Sequence, residues 1–183
     1  ISTNAVGAKD RGVAVDQIIA VVDGEAITES ELRQESRIAL ALRQGEAAAF
    51  TELDAKVLGA FRDYVVNQMV VSVHVRRLGS VELSQKKIDS AIQKFKAKFR
   101  SPSSYDAFKR RFDIGEDKIR TILRRELRNQ TFVQDRLRSR RLGRRLDAET
   151  QAWSEETMST LLAEMKQTVE IRFLGSNQQL ELQ

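Results

Sequence analysis

The stretch Val15-Asp16-Gln17-Ile18-Ile19-Ala20-Val21-Val22-Asp23-Gly24-Glu25-Ala26-Ile27-Thr28-Glu29-Ser30-Glu31-Leu32 changes its pattern part-way. Five consecutive apolar residues, Ile18 to Val22, end on Asp23-Gly24. Such a run followed by such a turn predicts a short buried strand. Thr28 to Glu31 then has the spacing of a capping box. The Thr28 hydroxyl would accept from the Glu31 amide while the Glu31 carboxylate reaches back. A helix therefore opens at Thr28, carries Leu32, Ile38, Ala39 and Leu42 toward a core, and ends near Gly45.

Working outward, helical spacing dominates. Thr51 is the expected cap of a second helix with Asp54 at its third position, and the stripe Leu53, Val57, Leu58, Phe61, Val65 and Met69 runs on to Leu78. Gly79 is its expected exit. Ser84 caps a third helix with Ile88, Ile92, Phe95 and Phe99, and Ser101-Pro102-Ser103 breaks it from a fourth with Tyr105, Phe108 and Phe112. A fifth helix runs from Glu116 to about Arg141, and a sixth from about Ala148 to Lys166 with Trp153, Leu161 and Met165. Thr168 to Leu174 alternates and stops at Gly175, the pattern of a second strand. The expected fold is mainly α: six helices closed by a two-stranded pairing of residues 18–22 with 169–174. Neither strand can stand alone next to a core, because unpaired backbone groups are costly there. A homodimer formed by strand exchange would satisfy the same groups.

Composition excludes several classes. The 183 residues include one Pro and nine Gly, too few for a turn-rich sandwich, and no Cys, which removes a thiol nucleophile and a Cys-based zinc site. No apolar run approaches the roughly 18 residues that cross a bilayer. The net charge of +5 is unevenly spread: Lys118 to Arg145 holds 11 basic and 2 acidic residues, Leu146 to Gln183 holds 2 basic and 7 acidic. The bland reading of that contrast is two segments facing each other; the sharper one is a surface for an anionic partner.

No phosphate-binding glycine loop occurs, and any His-dependent triad would have to use His74, the single histidine. No metal-ligand spacing is found. The chain is expected not to be an enzyme and to need no cofactor or metal. Two features could bind. One is Arg136, Arg138, Arg140, Arg141, Arg144 and Arg145, dense enough for phosphates but without interleaved aromatics for base stacking. The other is the aromatic set Phe95, Phe99, Tyr105, Phe108 and Phe112 on two short helices. Burial in a core is its ordinary fate, though part of it could line a groove for extended apolar peptides.

These residues, in this order, suggest a family. Val15 to Leu32 closely resembles the opening of the SurA-like periplasmic chaperones, a strand of the form I-V-A-V-V-[ND]-[GD] leading into I-[TL]-x-S-E-L. Phe61 to Gly79 is similar to the family's long helix, Val81 to Ile92 to the stretch that follows, and Tyr105 to Phe108 with Phe112 to Gly115 to its F-x-x-x-[LF]-x-x-x-G turn. Ile119 to Leu127, Trp153 and Val169 to Arg172 resemble the later helix, the closing helix and the closing strand. The chain departs from the family between its last two helices, where one or two parvulin-type prolyl isomerase domains normally sit. Only Leu142 to Thr150 fills that place here.

The resemblance implies a single chaperone domain over residues 15–174, comprising 15–141, the short link 142–150 and a closing helix and strand over 151–174. A flexible lead over 1–14 and a polar tail over 175–183 flank it. It implies an ATP-independent holdase in the periplasm or envelope of a Gram-negative-type bacterium, without isomerase activity. Its partners would be unfolded or outer-membrane-bound polypeptides, with no nucleic acid and no membrane insertion. The candidate groove residues are Met69, Phe95, Phe99, Tyr105, Phe108, Phe112, Trp153 and Met158. Two other readings accompany it: a structural or assembly subunit that docks one dedicated protein partner, and a basic nucleic-acid or anionic-surface binder using the arginine set.

Overall fold

A computed structural model describes residues 16–79, 81–142 and 155–174. Among them the order is β1 (Ile18–Val22), β2 (Glu25–Thr28), α1 (Glu29–Gln44), α2 (Glu46–Ala49), α3 (Ala55–Leu78), α4 (Gln85–Lys96), α5 (Pro102–Phe112), α6 (Glu116–Leu142), α7 (Glu155–Lys166) and β3 (Ile171–Phe173). The chain is mainly helical, as its pattern predicts. The lead over 1–14, the tail over 175–183, the link beyond Leu142 and Trp153 lie outside the described residues.

Among the described residues the sheet has three strands in the order β2-β1-β3, not two. Asp23 and Gly24 both have positive φ, +52° and +81°, the geometry of a two-residue type I′ turn. The chain therefore folds straight back, with Val22 opposite Glu25 and Ala20 opposite Ile27. β3 flanks the other side of β1, antiparallel, with Val22 opposite Ile171, Val21 opposite Arg172 and Ala20 opposite Phe173. β1 and β3 are thus paired within one chain, and β1 needs no exchanged strand to satisfy its backbone. The second strand is shorter than its sequence pattern predicts. Thr168 and Val169 still belong to the exit from α7, their N–H groups donating to the Met165 and Lys166 carbonyls at 3.3 Å each.

α1 opens on the capping box. Glu31 N–H donates to the Thr28 hydroxyl and Thr28 N–H to the Glu31 carboxylate, each at 3.3 Å. α3 starts later than expected. The Asp54 carboxylate accepts from Val57 N–H at 2.7 Å and is the N-cap, while the Thr51 hydroxyl turns back to the Ala48 carbonyl at 2.8 Å. That bond belongs to α2, a single turn whose four residues are too few to show a period, and which raises the helix count among the described residues from six to seven. α3 leaves through Gly79 at φ +95°. α5 begins with Pro102 in its first turn, capped by Ser101, and exits through Asp113 in the left-handed region.

Two apolar clusters form the core. The sheet-side cluster joins Ala20, Val22, Ile27 and Leu32 to Val65, Val66, Val70 and Val73 of α3, Phe132, Val133 and Leu137 of α6, and Leu161 and Met165 of α7. The aromatic cluster joins Ile38 and Ala41 of α1 to Ile88, Ile92 and Phe95 of α4, Phe99, Tyr105 and Phe108, and Ile119, Ile122 and Leu123 of α6. α1 and α6 serve both. Between the two sets each helix carries polar residues taken inward, the buried Glu35 and Ser36 on α1, the partly buried Arg125 and the buried Asn129 on α6. Glu35 is only 6% exposed and pairs with Arg125. Burial alone would discourage the Arg125 charge, yet the Glu35 carboxylate beside it holds its pKa above the ordinary value. Asn129 donates at 2.8 Å to the Gln68 backbone carbonyl and to its side-chain oxygen, and accepts from the Ser72 hydroxyl at 3.2 Å.

Candidate polypeptide-binding surface

The aromatic residues singled out from sequence lie mostly inside. Phe95 and Phe108 have no exposed surface, and Phe99 and Tyr105 are buried with them. Their rings meet edge-on or tilted, Phe95–Phe99 at 5.6 Å, Phe99–Tyr105 at 5.4 Å and Phe99–Phe108 at 5.0 Å between centroids. The first turns of α6 close the far side with Ile119, Ile122 and Leu123. The expected groove is therefore filled at these four positions, because the two short helices pack ring against ring rather than splaying at the Ser-Pro break. Met69 is also buried, in the sheet-side cluster, with its sulfur 3.8 Å from an Arg125 nitrogen. Phe112 and Met158 are half-buried at the margins, and Trp153 is outside the described residues.

The Tyr105 hydroxyl shows how tightly that core is tied. It donates to the Glu116 carboxylate at 2.7 Å, which also meets Lys96 at 2.8 Å and Lys109 at 3.4 Å. Burial and this carboxylate push the phenol up. Partial burial opposes the Glu116 charge, but the bonds from Lys96 and Tyr105 outweigh it and hold the carboxyl below its usual range. Glu116 also sits in the first turn of α6, where a negative charge is favoured.

Two apolar margins are left at the surface. At the first, Phe50 and Phe112 lie 5.5 Å apart, with Arg37 stacked 4.4 Å over Phe112 and Arg111 at 5.5 Å over Phe50. Arg37 also donates to the carbonyls of Ala49 and Thr51, and burial together with the neighbouring Arg111 and Arg33 lowers its pKa. At the second, Leu58, Phe61, Met158, Leu162 and Ile171 are half-buried against the sheet-side cluster. Phe173, two residues beyond Ile171 in β3, is 49% exposed, with the Arg62 guanidinium 5.1 Å from its ring. Leu78, at the end of α3, is 56% exposed. Such margins can hold apolar or aromatic side chains of an extended segment by dispersion and cation–π contact, without fixing one sequence. Phe50, Phe61 and Phe173 were not among the groove candidates. Phe61 belongs to an apolar helical stripe that reads as core, and α2 and the three-residue β3 are too short to signal which way Phe50 or Phe173 turns.

The other groups with chemical potential are engaged structurally. His74 Nε2 lies 3.0 Å from the Met165 carbonyl and 3.2 Å from the Thr168 hydroxyl, joining α3 to the end of α7. Arg77 donates to the Thr168 carbonyl at 2.7 Å and to Asp23 at 2.6 Å. Of the arginine set, Arg136 lies over the Phe132 ring at 5.2 Å and Arg138 meets Asp135 at 3.7 Å. The side chains of Arg140, Arg141, Arg144 and Arg145 are outside the described residues. Among the described residues no group of three or more His, Asp or Glu is placed to hold a metal ion, and no helix is long and apolar enough to cross a membrane. The chain matches no model of a known protein family and no curated protein sequence.

Proposed function

We propose that this chain is an ATP-independent holdase that shields apolar segments of unfolded polypeptides, outer-membrane-bound chains of a bacterial envelope among them. It does so without prolyl isomerase activity. The observation that carries the reading is the margin of half-buried apolar side chains around the sheet-side core, Leu58, Phe61, Met158 and Leu162, completed by the exposed Phe173 beside Arg62. A surface of this kind offers many small contacts and little directional bonding. It suits clients that differ in sequence and lose ordering entropy on capture. The likeness of Val15–Leu32 to the opening of the SurA-like chaperones agrees with it and is the ground for the envelope location.

The test dilutes a urea-unfolded outer-membrane β-barrel protein into buffer with this chain at several molar ratios and follows light scattering, with no nucleotide present. Dose-dependent suppression, absent with an equally basic control protein and reduced in Phe61→Ser/Phe173→Ser, is the expected result. No suppression at several-fold excess overturns the reading.

A further inference from the structure

The sheet ends at β3, whose outer side carries no strand among the described residues. Its backbone polarity follows from its bonds to β1. Asp23 N–H donates to the Glu170 carbonyl at 2.9 Å and Leu174 N–H to the Ile19 carbonyl at 3.0 Å, with Arg172 opposite Val21 between them. The even-numbered residues thus turn their backbone groups toward β1. With a two-residue period, the N–H and C=O groups of Ile171 and Phe173 point outward. Side chains alternate as well. Ile171 and Phe173 share the core face with Val22 and Ala20, whereas Glu170 and Arg172 lie on the other face, more than half exposed and 3.2 Å apart.

We propose that this edge docks the β3 of a second copy of the chain, joining the two sheets antiparallel about a two-fold axis into one of six strands. Charge selects both occupant and register. With Ile171 facing Ile171 of the second copy, Glu170 of each chain lies opposite Arg172 of the other. These are non-hydrogen-bonded positions, where facing side chains are closest. The next register that the outward groups allow puts Arg172 against Arg172 and is repelled. In the favoured register the two Ile171 residues exchange both backbone bonds. Pairing stops there, because the Val169 N–H is already bonded to Lys166. Each exposed Phe173 ring falls beside Val169 of the other chain, so the same residues serve both sides of a self-complementary contact. The edge is short, so the dimer is weak and concentration-dependent.

The test uses sedimentation equilibrium on the full chain and on Glu170→Arg and Arg172→Glu. Both positions are exposed, so each variant should keep the parent's circular dichroism. The parent should dimerise as concentration rises. Each variant alone should associate at least about tenfold more weakly, since two attractive pairs become repulsive. An equimolar mixture of the two should recover the dimer, because the doubly basic strand then faces the doubly acidic one. The within-chain ion pair is broken in both variants, so recovery on mixing reads the contact between chains alone. Ile171→Pro removes the outward donor on the axis, leaves the bonds to β1 in place and should abolish the dimer. A parent that stays monomeric at the highest concentration reached, or variants that do not associate on mixing, would overturn the proposal.

Discussion

The aromatic core takes all of its residues from the span between Ile38 and Leu123, while the sheet-side core gathers Ala20 to Leu32, Val65 to Val75, Phe132 to Leu137 and Leu161 to Val169. The first sets Phe95, Phe99, Tyr105 and Phe108 among isoleucines, on helices close together in the chain. The second is mostly valine, with leucines, methionines and Phe132, and its parts meet only when β1 and β3 come together. The difference separates stability from exposure. The locally assembled core draws on α1, α2, α4, α5 and α6 and, among the described residues, leaves Leu42, Phe50, Leu83 and Phe112 half-buried at its rim. The core assembled from distant parts ends at a sheet edge and keeps a wider apolar margin.

The sharpest way to break that contrast is to empty one core at a time. Phe108→Ala should cost ~3–5 kcal/mol, and Leu161→Ala on the sheet side ~2–5 kcal/mol, in urea unfolding. Because α6 runs through both cores, each variant should still unfold in one transition by near- and far-ultraviolet circular dichroism. Two separated transitions would mean that the cores are independent units. The buried pair between them comes next. Glu35→Gln leaves Arg125 without its counter-charge and should cost ~3 kcal/mol, whereas Glu35→Leu/Arg125→Met should lie within about 1 kcal/mol of the parent or above it. A double variant as unstable as the single one would mean that the packing around the pair matters more than its charges.

The smallest effect is in alkali. Burial, with the nearby Glu126, raises the Tyr64 phenol to about 12, against about 10 in an unfolded chain. The folded state therefore holds this proton more tightly. The associated stability is fully present below pH 10 and is lost as pH rises from about 10 to 12. Tyr64→Phe should flatten that part of the alkaline unfolding curve. Tyr105→Phe should do the same for the aromatic core, where the phenol is also pushed up. If neither variant changes the alkaline limb, other groups govern it.

Helix positions were legible because caps and stripes are local. The Thr28–Glu31 box, Gly45, the stripe of α3 and the Pro102 start all act within a turn or two of themselves. β2 was not legible. Glu25–Thr28 buries only Ile27, so it has no period; Asp23-Gly24 reads as a turn, but that the residues after it pair back onto β1 shows only in the structure. The candidate site was legible only as composition. Periodicity marked Phe95, Phe99 and Phe108 as one apolar face, but whether a face meets solvent or the first turns of α6 depends on residues outside its own window. Phe173 is not legible for the converse reason. It stands on the core face opposite Ala20, yet half of it is exposed, beside the Arg62 guanidinium of α3.

The pairing of β1 with β3 also has a meaning in time. Val21 and Arg172 face each other across about 150 residues of chain. At the roughly 5–20 residues per second of synthesis, β1 leaves the ribosome about 8–30 s before its partner exists. Through that interval the β1–β2 hairpin is a two-stranded ribbon, which is marginal in water by itself. The aromatic core, complete once Leu123 is made, is ready well before. During synthesis the nascent chain therefore carries a finished helical half beside an open strand edge, and the last few residues of the fold are the ones that seal it.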